Sequence, residues 1–311
     1  MKHLYAYMLR RVCRFLPPSF AYRLQFAVYK NLLTDMDFTE KVLFGKGRIR
    51  GNMMDAVDAN FAMHGTANML GMVVASFFLK KGDIVFELGA NIGTETIALA
   101  NLVGRKGTVV AVEAEKGNAE ILQQRILMNK KNQVLCINKA ISDSESPVYV
   151  VKGPENNRGM SFIEKERTID SHSELIDSIT VDLLYRRHGA PRVMLMDMEG
   201  AEVLGLIGGR QLLREKRPIL FFELDVNHME RFGYSLHNLS EILKNSNYRI
   251  FDVMSWRLNE LDINLLSADT HIDCLALPNE LDNEREIAGI RIALIRGRLL
   301  PKLKYLSPLW F

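Results

Sequence analysis

Cysteine is scarce in this chain of 311 residues. Its three copies, Cys13, Cys136 and Cys274, lie far apart with no Cys-x-x-Cys pair. That excludes a zinc site built from paired thiolates and a disulfide framework, and it fits a reduced, cytoplasmic setting. Long apolar runs are also lacking. The longest, MLGMVVASFFL at 69–79, is too short to cross a bilayer and reads as a buried helix leading into a strand. Charges interrupt the first thirty residues without a following apolar stretch of secretory type, so no signal peptide is expected. No internal repeat or low-complexity tract occurs. No Gly-x-x-x-x-Gly-Lys-Ser/Thr loop is present, which excludes a P-loop nucleotide site.

Acids are missing from both ends. Residues 1–30 carry Lys2, Arg10, Arg11, Arg14, Arg23 and Lys30, and residues 291–311 carry Arg291, Arg296, Arg298, Lys302 and Lys304, with no Asp or Glu in either stretch. The ends contribute +11 to a chain total of +3, leaving the body at −8. A net-acidic body disfavours a nucleic-acid groove across the core. The first sixteen residues form an amphipathic helical pattern. Leu4, Tyr5, Met8, Leu9, Val12, Phe15 and Leu16 share one half of the wheel, Lys2, His3, Arg10, Arg11 and Arg14 the other, and Pro17-Pro18 ends it. Two readings stand: the apolar half packs on the body, or it lies in a membrane interface. The C-terminal RIALIRGRLLPKLKYLSPLWF is basic and apolar as well. The expected location is therefore cytoplasmic, with peripheral contact at the inner membrane face through the basic termini.

From residue 83 strands and helices alternate. Strands are expected at 84–88, 108–113, 133–139, 192–197, 218–224, 248–254 and 272–277, and helices at 94–103, 117–129, 200–214 and 236–246. Apolar strands alternating with helices predict a mostly parallel α/β sheet covered on both faces. The last two strands lack an intervening helix, as a closing antiparallel strand would require. The polar stretch 142–178 is long for an α/β connection, and its apolar punctuation fits short strands capping a site. The expected division is a helical extension over 1–80, a core domain over 81–280 with a cap insertion at 142–178, and a basic tail over 281–311.

The turn in VFELGANIGTETIALA sits at the end of the first strand, where α/β sheets bind ligands. Its candidate cofactor residues are Glu87, Gly89, Ala90, Asn91 and Gly93. The next strand ends in Glu113, twenty residues after Gly93, where a carboxylate can accept from both hydroxyls of a ribose. An adenosine-type cofactor follows. Asn91 stands where a dinucleotide fingerprint needs its middle glycine, and Glu87 would repel a pyrophosphate, so a cofactor bearing ammonium and sulfonium charges is the better match. A second cluster comes from MLMDMEGAE, with Asp197, Glu199 and Glu202, and FFELDVNH, with Glu223, Asp225 and His228. Helix capping accounts for some of these acids but not for the set.

These segments, with VVAVEAEKGNAEILQQRILMN and ITVDLL, resemble the FkbM-type S-adenosylmethionine-dependent methyltransferases over residues 80–277. The resemblance implies a class I methyltransferase (Rossmann-like) seven-stranded sheet with an antiparallel seventh strand, and methyl transfer to a hydroxyl of a sugar, glycan or glycolipid, or secondary metabolite. Glu87 replaces the family's usual Asp. Ser142 and Asp143 resemble its adenine-side segment, and Asp197 and Glu199 join the expected cofactor site. Removing the hydroxyl proton needs a base, for which Glu223, His228 and Asp197 are the candidates. Asp197, Glu199 and Glu223 are also oxygen ligands of a type that suits a divalent cation, although no metal is favoured. The partner expected is a small-molecule or glycan acceptor rather than nucleic acid; no Asn/Asp-Pro-Pro-Tyr segment follows strand 192–197. The alternatives are a non-catalytic S-adenosylmethionine-binding protein and an NAD-dependent oxidoreductase.

Overall fold

The computed structural model describes residues 2–28, 34–166, 173–281 and 284–299. Lys30, Lys302 and Lys304 of the basic ends, and residues 167–172 of the cap stretch, lie outside the described residues. Seven strands build the central sheet: β1 (Ile84–Leu88), β2 (Thr108–Glu113), β3 (Val134–Asn138), β4 (Val193–Met196), β5 (Ile219–Asp225), β6 (Tyr248–Asp252) and β7 (His271–Pro278). They lie in the order β3-β2-β1-β4-β5-β7-β6, and the short pair Asn259–Glu260 adds an eighth edge strand beside β6. The first five strands run parallel, while β7 pairs antiparallel with both β5 and β6. The sheet is therefore mixed, with the class I methyltransferase order and the closing antiparallel strand expected.

Helices cover both faces. Before the sheet come α1 (Lys2–Phe15), α2 (Pro18–Val28), α3 (Ala56–His64) and α4 (Met69–Phe78). Within and after it follow α5 (Thr96–Val103), α6 (Lys116–Met128), α7 (Val181–His188), α8 (Glu202–Gly208), α9 (Arg210–Glu215), α10 (Val226–Glu230), α11 (Leu236–Asn245) and α12 (Glu284–Leu299). Strand side chains alternate between the faces. Val85, Val109 and Val193 join α4, α5, α6 and α12 in one core, whereas Phe86, Val110 and Met194 join α7, α8, α9 and α11 in another.

Three features depart from the sequence pattern. The helix expected over 200–214 breaks at Gly208-Gly209, where Gly208 passes so close to the Ser142 carbonyl that a Cβ would lie 2.4 Å from it. The 1–80 segment is not wholly helical, because Asp37–Lys41 and Arg48–Asn52 pair as an antiparallel hairpin. Nor does that segment stand apart: Leu9, Phe38 and Phe61 share one buried cluster with Val85 and Val109 of the sheet. The cap stretch does form short strands, Val148–Val151 pairing with Phe162–Glu164 and Ser173–Ile176. No single helix among the described residues is long and apolar enough to cross a membrane.

Arg125 of α6 ties the extension to the glycine turn. Its guanidinium donates to the Ile92 carbonyl at 2.9 Å, to the Arg50 carbonyl of the hairpin at 3.0 Å and to Asp58 of α3 at 2.6 Å. Both members of the Arg125–Asp58 pair are buried, and burial raises the Asp58 carboxyl even against the Arg125 charge. Removing one partner strands the other. Asp58→Ala should therefore cost about 3–5 kcal/mol in urea unfolding. Asp58→Ala combined with Arg125→Met should cost less than Asp58→Ala alone; a double variant less stable than the single one refutes this account.

Candidate active site

The strand ends open onto a cavity of about 990 Å³, walled by the glycine turn, β2, β4, β5, the cap, α2 and α3. Its floor depends on close backbone approach. The Gly89 and Ala90 amides donate to the Val112 carbonyl at 2.9 Å each. Gly89 has φ +82°, and a Cβ there would lie 1.8 Å from the Asp197 carbonyl oxygen. Only glycine admits both the left-handed backbone and that contact.

Glu113 is held from two sides. Its carboxylate accepts from the Asn91 amide at 2.8 Å and the Glu115 amide at 2.9 Å. Burial pushes its pKa up to about 7, against those two amides. Glu115 in turn caps α6 by accepting from the Gly117 and Asn118 amides. The Glu113 side chain is thus fixed where β2 meets the cavity, with lone pairs left over for a ligand hydroxyl.

The acid of the turn that meets the cavity is Glu95 rather than the expected Glu87. Glu87 is buried, accepts from the Thr96 hydroxyl at 2.6 Å and does not line the cavity. Burial raises its pKa well above the ordinary range, so the repulsion expected of an exposed carboxylate does not operate. Glu95 lines the cavity instead. It accepts from the Thr66 hydroxyl at 2.7 Å and from the Ala67 and Asn68 amides, which joins the turn to the loop before α4. Gly93 also lies off the cavity wall; its position lets Leu122 of α6 pack close.

A carboxylate cluster occupies the β4, β5 and β7 ends. Asp197, Glu199, Glu223 and Asp273 all face the cavity. Antiparallel pairing sets Asp273 opposite Glu223 and His271 opposite Asp225. Burial first, then the charges of Glu223 and Glu199, raises Asp197 well above its ordinary value. Burial and Glu223 bring Glu199 to about 7 and Asp273 to about 6. Beneath them, burial carries Glu202, which accepts from the Met198 amide at 2.6 Å, to about 8. Like charges opposed in this way need a cation. His271 supplies one. Its Nε2 lies 2.8 Å from Glu223 and its Nδ1 3.0 Å from Asp225, so both nitrogens must carry protons to donate. Burial disfavours the charged ring, but the two carboxylates outweigh it and raise the pKa.

His228 does not line the cavity. Its Nδ1 lies 3.3 Å from Glu199 and 3.7 Å from Asp225, behind the acids rather than among them. Glu199 itself adopts φ +52°, a strained conformation for a side chain of its size. Ser142 and Asp143 also lie off the wall. Asp143 pairs with Lys165 at 2.8 Å, and Ile141 faces the cavity in their place. The structure therefore brings together Gly89, Ala90, Asn91, Glu113, Asp197, Glu199 and Glu223, and sets Glu87, Gly93, Ser142, Asp143 and His228 outside that group. Sequence reasoning missed Glu95, Asp273 and His271. The only local signals were a second acid in the turn and two polar residues in HIDCLAL. Among the described residues no group of three or more His, Cys, Asp or Glu is arranged to hold a metal ion.

The family described as "Methyltransferase FkbM domain" matches residues 87–250, just over half of the chain. No curated protein matches. Solved structures with a similar fold include methyltransferase FkbM from Methylobacillus flagellatus, 18% identical with a TM-score of 0.41, the match covering 70% of this chain and 52% of that one. The chain thus spans about half the length of that protein. Precorrin-6y C5,15-methyltransferase from Geobacter metallireducens is 9% identical over 67% of this chain and 87% of that one, with a TM-score of 0.40. Aeropyrum pernix fibrillarin, solved with natively bound S-adenosyl-L-methionine, is 13% identical over 67% and 74%, with a TM-score of 0.37.

Each raised carboxyl keeps, in the folded state, a proton that the unfolded chain has released. Their shared contribution is complete below the ordinary carboxylate range and is lost as pH climbs through about 6 to about 8. The melting temperature of the ligand-free protein should therefore fall across that window. Glu202→Gln should shallow the slope by about one proton; a slope unchanged by that substitution would count against the assignment.

Proposed function

This chain belongs to the FkbM methyltransferase family, and we propose that it moves a methyl group from S-adenosylmethionine to a hydroxyl oxygen of a sugar, a glycan or glycolipid, or a secondary metabolite. The residues present fit that cofactor. Gly89 lets the turn lie directly against the Asp197 backbone at the cavity floor. Glu113 offers a fixed side chain for the ribose hydroxyls, Ile141 an apolar wall, and Glu95 a carboxylate on the cavity wall. When bound, the cofactor supplies an electrophilic methyl on a sulfonium.

The protein's own part is to align the acceptor and take its proton. Glu223 carries this reading: it faces the same cavity as Asp197 and Glu113 and is paired at 2.8 Å with His271. The hydroxyl proton would pass to the Glu223 carboxylate as the oxygen gains the methyl group. His271 balances the charge of its neighbours, and His228 positions Glu199 rather than meeting the acceptor. The amide and aromatic side chains Asn60, Asn68, Tyr22 and Trp256 line the cavity, which supports a hydroxyl-rich acceptor. The carboxylates there oppose a phosphate backbone, which favours a small-molecule or glycan acceptor over nucleic acid.

Two substitutions separate binding from chemistry. Glu113→Ala should weaken S-adenosylmethionine binding by about 10- to 150-fold in calorimetry, the value of hydrogen bonds to a charged group. Glu223→Gln should leave that affinity nearly intact and lower kcat on a responsive hydroxyl acceptor by about 10²–10⁴. Intact cofactor binding with no turnover across an acceptor panel would support the non-catalytic alternative. Binding of NAD in place of S-adenosylmethionine would overturn the proposal.

A further inference from the structure

Helix α1 is mounted with its apolar stripe facing out. Ala6, Leu9 and Cys13 are buried, and so is Arg10, whose Nε lies 3.2 Å from Glu40. Arg14 also turns inward, donating to the Lys41 carbonyl at 2.8 Å and the Ala62 carbonyl at 3.0 Å. On the opposite side Leu4, Met8, Val12 and Phe15, spaced i, i+4, i+8 and i+11, are 46–65% exposed. Phe20 of α2 continues the exposed row, and Tyr5 and Tyr7 flank it. Arg11 lies beside them with its guanidinium over the Tyr7 ring. An amphipathic helix ordinarily buries this stripe. Here the protein buries arginines instead.

The other chain end meets the same flank. α2 packs against α12, and the Ser19 hydroxyl donates to the Arg298 carbonyl at 3.4 Å. α12 buries Ile290 and Leu294 and leaves Ile292, Ile295 and Leu299 exposed, with Arg285, Arg291 and Arg296 exposed around them. α1 and α2 contain no acid, and the only acids of α12, Glu284 and Glu286, lie in its first turn, away from Ile292, Ile295 and Leu299. The chain continues past Leu299 with Lys302, Lys304 and Trp310. Exposed apolar side chains rimmed chiefly by cations match an anionic bilayer in polarity and charge. Interfacial Tyr and Arg suit the same setting.

We propose that the α1–α2–α12 flank is a docking surface for an anionic lipid bilayer. α2 is also a wall of the cavity, through Tyr22 and Arg23. Gly297 of α12 packs near the ring of Trp256, another wall residue. Docking therefore holds the cavity next to the membrane surface. Resting on the methyltransferase reading above, this favours a hydroxyl acceptor carried on a lipid.

The test is flotation of the full chain with vesicles of phosphatidylcholine alone or mixed with phosphatidylglycerol, at low and high salt. The wild-type protein should float with the anionic vesicles and lose binding as salt rises. Met8→Glu/Val12→Glu and Ile292→Glu/Ile295→Glu should each cut partitioning by roughly tenfold or more, with circular dichroism and S-adenosylmethionine affinity unchanged. Flotation needs no turnover, so its result stands apart from the catalytic reading. Absence of anionic-vesicle binding overturns the proposal. So does binding that survives both double variants and disappears only on removal of residues 300–311. A wild-type dimer that these variants convert to a monomer, without any vesicle binding, reassigns the flank to self-association and overturns it too.

Discussion

Carboxylates gathered at one edge of a parallel sheet raise one another's proton affinity, and each also loses solvation as the cavity walls close over it. Asp197, Glu199, Glu223 and Asp273 share that edge, so the surroundings must compensate for them. His271 does so between Glu223 and Asp225. Backbone amides do so for Glu113, Glu95 and Glu202. What remains is a cavity lined by carboxyls of raised proton affinity.

The N-terminal extension is part of the same machinery. Arg125 links the hairpin and α3 to the Ile92 carbonyl in the glycine turn, and Glu95 links the turn to the loop before α4. The extension shares its core with one face of the sheet and supplies part of the cavity wall, with the Ala56 amide donating to the Asn156 carbonyl of the cap. The shape of the cavity is therefore set largely by elements outside the sheet. The FkbM family match begins only at residue 87, after most of them.

Legibility in the sequence followed the locality of the cause. The strands of the sheet and Glu113 could be read because apolar runs, glycine turns and a strand-ending acid are short-range patterns. Position 87 was read correctly as an acid beside the turn, but not for its burial. Whether a strand-end carboxylate faces the cavity or the helix behind it depends on packing, and Thr96 settles that here. His228 looked like a base because it follows an acid-rich strand end, yet α10 turns it toward the back of Glu199. His271 and Asp273 went unnoticed because their role arises from β7 entering the sheet between β5 and β6. That pairing is non-local.

By itself the sequence determined the class of the fold, the glycine turn with the acid that ends the next strand, and the acidity of the strand ends, since each depends on residues close together along the chain. It also determined that both ends are basic. Only the tertiary structure decided which acids face the cavity, that a histidine from the last strand pairs with Glu223 and Asp225, and that α1 turns Arg10 and Arg14 inward while exposing Leu4 and Met8. The packing of α2 on α12 likewise set the two basic ends on one flank. The reason is common to all of these: a side chain's partner across the fold is set by pairing and packing between segments far apart in sequence, where local periodicity carries no information.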